Sequence, residues 1–192
     1  MTATDTKTQL LDAAQELCQT RGYNAFSYRD LADRVGIRTA SIHHHFPTKG
    51  DLGEALAERY RGRFQTALSE IDASPADHRR KLEKYLDLFH GTLKVGHRMC
   101  LGGMLATEYD TLPKAVQAEV RRFFEGSEQW LAALLAEGRK AGAFAFDGSP
   151  AATARTVFAA MEGAMMAART FHDESRLAVT ARWLQRALAT DQ

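Results

Sequence analysis

The chain has 192 residues, 45% of them hydrophobic and 26% charged, with 25 basic against 24 acidic side chains. That is ordinary folded-domain usage and excludes a mainly disordered chain. The longest run without Asp, Glu, Lys or Arg is the ten residues Thr39–Thr48, far short of the roughly 20 apolar residues of a membrane span, and MTATDTKTQL lacks the apolar core of a signal peptide, so neither is expected.

The pattern is helical throughout, and an all-α chain of about nine helices is expected. Pro47, Pro75, Pro113 and Pro150 each fall where a helix boundary is placed on other grounds. The first helix starts near Thr6, which has capping-box spacing to Gln9, and ends at Gly22. The second starts at Ser27, with Asp30 three residues on, and breaks at Gly36. A short third runs from Thr39 to His45, and Pro47 stops it. Thr48 and Asp51 cap a fourth, which extends to about Ile71. Ser74-Pro75-Ala76-Asp77 reads as the start of a fifth, with Leu82, Tyr85, Leu86, Phe89 and Leu93 on one face. A short segment spans Cys100 to Tyr109. A long helix follows from Pro113 to about Ala141. Ser149-Pro150 opens the next, to about His172, and a last helix starts near Glu174. Cys18 and Cys100 are too few for a disulfide framework and fit a reducing, cytoplasmic setting.

Global charge does not mark a nucleic-acid binder: the first 64 residues carry nine basic and eight acidic groups. Locally, Arg34 to Gly50 holds three basic residues, three histidines and no carboxylate, a pattern suited to phosphate. Ser27 to Phe46 has the arithmetic of a helix-turn-helix, with Ile37 in the turn and a short second helix of small and polar residues. A plain αα-hairpin shares that spacing.

The stretch FSYRDLADRVGIRTASIHHHFPTKGDLGEAL closely resembles the DNA-binding segment of the TetR family of transcriptional repressors. It matches at Leu31, Ala32, Gly36, Ile37, Ile42, His45, Phe46, Lys49 and Leu52. It departs at His43, where that family usually has tyrosine. The resemblance implies an N-terminal helix-turn-helix domain over residues 1–50, an effector-binding and dimerisation domain over 51–192, and a connecting helix over 48–71. DNA-contacting residues are then expected at Ser27 and Tyr28, at Arg38, Thr39, Ala40 and Ser41, at His43 and His44, and at Lys49. Arg38 can pair with guanine or grip a phosphate, and Thr39 and Ala40 can meet a thymine methyl. Lys49 resembles the family's backbone-clamping lysine. Ile42 and Phe46 are expected in the core. Three successive helical histidines diverge by about 100° each, so no metal site is expected there.

The resemblance also implies a small-molecule pocket in the C-terminal helices and a homodimer. The large, adaptable residues Phe89, Leu93, His97, Cys100, Met104, Phe123, Trp130, Phe158, Met161, Glu162 and Met165 are expected to line the pocket, for an apolar or aromatic effector. A plain core is the alternative for any such set. Gly163, with Ala159, Ala160, Ala164, Ala167 and Ala168, suggests close helix packing across a dimer face.

The expected function is a cytoplasmic, ligand-responsive DNA-binding regulator, a repressor released from a palindromic operator by its effector, with no cofactor. One alternative is a redox- or electrophile-sensing regulator acting through Cys100, since a helix N-terminus favours thiolate and the surrounding stretch resembles cysteine-bearing segments of some TetR-family members. A buried, inert thiol competes with that reading. An all-α enzyme using His97, Cys100 and Glu108 is a further alternative, without an ordered nucleophile–base motif behind it.

Overall fold

A computed structural model describes residues 5–190; the reading of Met1–Thr4 lies outside them. The described residues form nine α-helices, a single 3-10 turn at Tyr109–Thr111 and no strand. In chain order the helices are α1 (Thr6–Arg21), α2 (Tyr28–Val35), α3 (Thr39–His45), α4 (Lys49–Ala73), α5 (His78–Lys94), α6 (Leu101–Thr107), α7 (Lys114–Lys140), α8 (Pro150–Thr170) and α9 (Ser175–Leu188). None of them is long and apolar enough to cross a membrane.

Local chemistry sets most boundaries. Ser27 caps α2 in a full capping box: its side chain accepts from the Asp30 N–H, and the Asp30 carboxylate accepts from the Ser27 N–H at 2.7 Å. Gly36 ends α2 in the left-handed region at φ 76°, which a Cβ disfavours. Thr48 and Asp51 form the same reciprocal pair before α4, at 2.8 and 3.2 Å. Ser149 caps α8, with Pro150 as its first residue.

Two expected caps are corrected. Thr6 does not cap α1; it is the first helical residue, and Asp5 precedes it without a side-chain cap bond. Ser74 does not open α5 either. Its hydroxyl turns back and donates to the Ile71 carbonyl at 2.7 Å, closing α4, and Asp77 takes over as the α5 cap by accepting from the Arg80 N–H at 2.8 Å. A serine oxygen serves an orphan carbonyl as readily as an orphan N–H, so sequence order alone does not decide which helix it serves.

The chain forms two units, and α4 and α7 contribute one part to each. The first comprises the described residues of Met1–Arg63 with Cys100–Phe123. Leu10, Leu31, Ile42, Leu52, Leu56, Leu101 and Val116 are fully buried there, each worth about 1.5–3 kcal/mol over exposure. Glu108, at the end of α6, accepts from the Tyr23 N–H at 2.6 Å and from the Asn24 N–H at 3.3 Å. Asn24 Nδ2 donates to Thr111 Oγ1 at 2.8 Å. A Cβ on Gly53 would lie 2.8 Å from Tyr23 and 3.0 Å from Val116, so α4 meets the loop after α1 and the start of α7 without a side chain between. Residues 100–123 are thus a structural part of the unit that carries α2 and α3.

The second unit comprises Phe64–Met99 and the described residues of Phe124–Gln192. Tyr85 is its fully buried centre: Trp130 stacks on it at 5.4 Å, and Phe64 and Phe89 meet it edge-on at 6.4 and 5.7 Å. Phe158 continues this cluster against Phe89 and Phe124. Leu177, Leu184 and Leu188 bury one face of α9. Phe144 packs against Gly138 and pairs with Ala189 in an isolated antiparallel bridge.

Candidate nucleic-acid interface

The α2–α3 pair divides each helix into an inward and an outward face. Ile42 is fully buried and Phe46 is 3% exposed, and these two anchor α3. Thr39, Ala40, Ser41, His43 and His44 are exposed, as is Arg38 at the N-cap. The Arg38 backbone is extended (ψ 146°), so its side chain leaves just before the first turn, where free N–H groups face outward. A helix of this width presenting small and polar residues with a guanidinium at its N-terminal end fits the DNA major groove, where arginine and hydroxyl groups read base edges.

Three expected phosphate contacts are already engaged within the protein. The Tyr28 hydroxyl lies 2.8 Å from the Phe46 carbonyl and 2.6 Å from that of Thr48, tying the start of α2 to the turn after α3. Burial, then Asp51 and Tyr23, push this phenol up to about 12. The Ser27 N–H and hydroxyl both donate to Asp30. Lys49 turns inward: its ammonium donates to the Phe26 carbonyl and sits 4.7 and 4.5 Å above the rings of Tyr23 and Phe26. Burial holds it below the usual lysine range, although Cys18, Glu108 and Asp30 pull the other way. Each of these groups stiffens the α2–α3–α4 junction.

His43 Nδ1 lies 3.1 Å from the Pro47 carbonyl, and its ring meets Tyr28 edge-on at 4.8 Å. Because the carbonyl only accepts, Nδ1 carries the proton, and the neutral ring then offers a lone pair at Nε2. A phosphate oxygen is repelled by that lone pair. In this tautomer Nε2 is an acceptor and not the donor that a phosphate oxygen needs.

The residues expected to line an effector pocket divide between the units. Phe89, Leu93, Phe158, Met161 and Met165 are buried in the second, and Glu162 is half-buried on α8. Trp130 uses its indole N–H on Asp72 at 2.8 Å. His97 is exposed, in the left-handed region at φ 54°, its ring edge-on to His172 at 5.6 Å. Cys100, Met104 and Phe123 belong to the first unit. Cys100 is 4% exposed and takes a contact from the Tyr60 hydroxyl at 3.6 Å. Burial, followed by the Glu108 charge, pushes the Cys18 thiol up to about 12, as expected of a core cysteine. The Glu108 link to Tyr23 and Asn24 has no sequence signal, since its partners are 84 and 85 residues away.

Residues 10–56 match the model described as bacterial regulatory proteins, tetR family, and residues 80–184 match the model of the tetracyclin repressor-like C-terminal domain. A TetR-family transcriptional regulator from Agrobacterium tumefaciens has a similar crystal structure, with a TM-score of 0.93, 34% identity, and 96% of this chain and 97% of that one covered. A TetR transcriptional regulator from Legionella pneumophila has a TM-score of 0.90 at 32% identity, with 98% and 100% covered. The HTH-type transcriptional repressor NemR of Escherichia coli is 26% identical over 172 residues, 86% of this chain and 84% of its own.

Proposed function

The chain belongs to the TetR family of bacterial regulatory proteins, and from that premise we propose that this ligand-responsive DNA-binding regulator acts in the cytoplasm as a homodimeric repressor of a pseudo-palindromic operator. The observation that carries the reading is α3, with Ile42 buried and Arg38, Thr39, Ala40, Ser41, His43 and His44 all exposed on one short helix. Two copies of it enter successive major grooves, about one helical turn or a multiple of it apart. Tyr28 and Lys49 hold the reading helix in place through carbonyls at its end and at the start of α2.

Dimerisation is supported by a face of α8 and α9 that stays exposed among the described residues. Met166, Val179 and Trp183 are 51%, 53% and 59% exposed, and no atom lies within 4 Å of a Cβ placed on Gly163. Large exposed apolar groups around a small-residue patch are what a self-complementary interface needs. An apolar or aromatic effector is supported by the aromatic and methionine cluster of the second unit. It acts by binding one dimer geometry better than the other. The relatives are transcriptional regulators, and we assign the chain no reaction: the Glu108 carboxylate is spent on backbone N–H groups. The redox alternative is supported by the Tyr60 hydroxyl's contact with the Cys100 sulfur at 3.6 Å; a Cys100→Ser variant with full response to every inducer and oxidant removes it.

Fluorescence anisotropy against DNA flanking the protein's own gene, with scrambled DNA as control and a salt series, tests the central claim. Selective binding with a steep salt slope is expected, and Arg38→Ala should weaken it by about tenfold or more. Equal, weak binding to specific and scrambled DNA across genomic fragments overturns it.

A further inference from the structure

The turn that joins α3 to α4 is held by its carbonyls. Four successive main-chain oxygens each meet a ring side chain of the first unit. The Tyr28 hydroxyl lies 2.8 Å from the Phe46 oxygen and 2.6 Å from that of Thr48, and His43 Nδ1 lies 3.1 Å from that of Pro47. The fourth, the oxygen of Lys49, accepts from the Tyr23 hydroxyl at 2.8 Å. Tyr28 and His43 belong to the helix pair itself. Tyr23 stands apart, in the loop between α1 and α2, and is not among the residues expected to contact DNA.

The rest of Tyr23 is fixed. Its N–H donates to the Glu108 carboxylate at 2.6 Å, at the end of α6. Its ring meets Phe26 edge-on at 6.1 Å and lies 4.7 Å below the Lys49 ammonium. A Cβ on Gly53 would come within 3.0 Å of the hydroxyl, so α4 leaves room for that oxygen. The residue is 4% exposed, and burial above all pushes the phenol up to about 12, so the hydroxyl keeps its proton and donates. A phenylalanine would bury the same ring. What the hydroxyl adds is a bond to the main chain of the first residue of α4.

That bond bears on how DNA is read. Phosphate contacts supply affinity for any sequence. Base contacts discriminate only while the reading helix keeps its place in the groove, to within about 0.5 Å. We propose that Tyr23 is a positioning residue for sequence discrimination: its hydroxyl fixes the start of α4 and, through the turn of bound carbonyls, fixes α3 against the base edges. Tyr23 touches no DNA itself. The inference rests on the regulator reading and goes beyond it by separating a residue of specificity from residues of affinity.

Anisotropy of the intact protein with two DNAs is the test. One is the genomic fragment selected as the tightest binder of the unaltered protein, the other a scrambled duplex of the same length and composition. Tyr23→Phe should weaken binding to the selected fragment by about fivefold or more, since a dimer loses two hydrogen bonds, and should change binding to scrambled DNA by less than about twofold. The salt slope should stay as it is, because no phosphate contact is removed. Tyr109→Phe, which removes a hydroxyl that accepts from Arg121 at 2.9 Å, should leave both affinities unchanged. Partial unfolding of the Tyr23→Phe variant would remove active protein equally for both DNAs, so the ratio of the two affinities reads the proposal even if the variant melts early. A ratio unchanged by Tyr23→Phe overturns the proposal and leaves the regulator reading standing. A ratio near one in the unaltered protein overturns that reading, and the inference falls with it.

Discussion

Glu119 is 3% exposed and lies between two guanidinium groups, Arg61 at 2.8 Å and Arg122. Burial alone would raise its carboxyl, but the hydrogen bonds and charges of the two arginines outweigh this and hold it below the usual carboxylate range. Its stabilisation is therefore present above about pH 4.3, the unfolded value, and is lost as pH falls through the lower folded value. Glu119→Gln should cost about 1–3 kcal/mol at neutral pH and flatten the acid limb of a urea-unfolding series. His43 makes a prediction on binding. Because its Nδ1 is tied to the Pro47 carbonyl, His43→Phe should loosen the turn after α3 and weaken DNA binding by about threefold or more. Anisotropy checks it; unchanged affinity in the variant means that this contact does not position α3. Neither environment was legible in the sequence. Glu119 meets Arg61 58 residues away, and the Pro47 carbonyl is a backbone acceptor that no side-chain motif announces.

At the scale of elements the sequence was a good guide wherever a helix is bounded by its own neighbours. The start of α2 at Ser27, its end at Gly36, the Thr48–Asp51 pair and the Ser149-Pro150 start all follow from interactions within three or four residues. Ser27→Ala removes the acceptor for the Asp30 N–H and should cost about 1 kcal/mol, with a matching loss of DNA affinity because α3 is positioned by α2. Chemical denaturation and anisotropy on one preparation check both halves; a stability loss with unchanged affinity would separate the cap from the reading helix. The reading failed where two helices compete for the same residues. Between α4 and α5, Ser74 serves the helix before it and Asp77 the helix after it. Unit membership is likewise not legible from periodicity. Cys100, Met104 and Phe123 have the right chemistry, but helix periodicity says nothing of which neighbours a helix packs against, and these three belong to the first unit.

At the scale of the whole molecule, the uncovered face of α8 and α9 predicts the assembly. Trp183→Glu should convert the dimer to a monomer in sedimentation velocity, leave the helical circular dichroism unchanged, and flatten the salt slope of operator binding, since a monomer neutralises about half as many phosphates. A variant that stays dimeric places the interface elsewhere. The Glu108 contacts have a consequence for how such regulators are recombined. A chimera joining residues 1–63 of this chain to another regulator's C-terminal half would discard the acceptor for the Tyr23 and Asn24 N–H groups, and with it the Val116 surface that Gly53 fits. The transferable cassette is discontinuous. A DNA-reading head grafted from this protein needs its residues 100–123 carried along as a second insert, which makes the gene's modules and the protein's modules different objects.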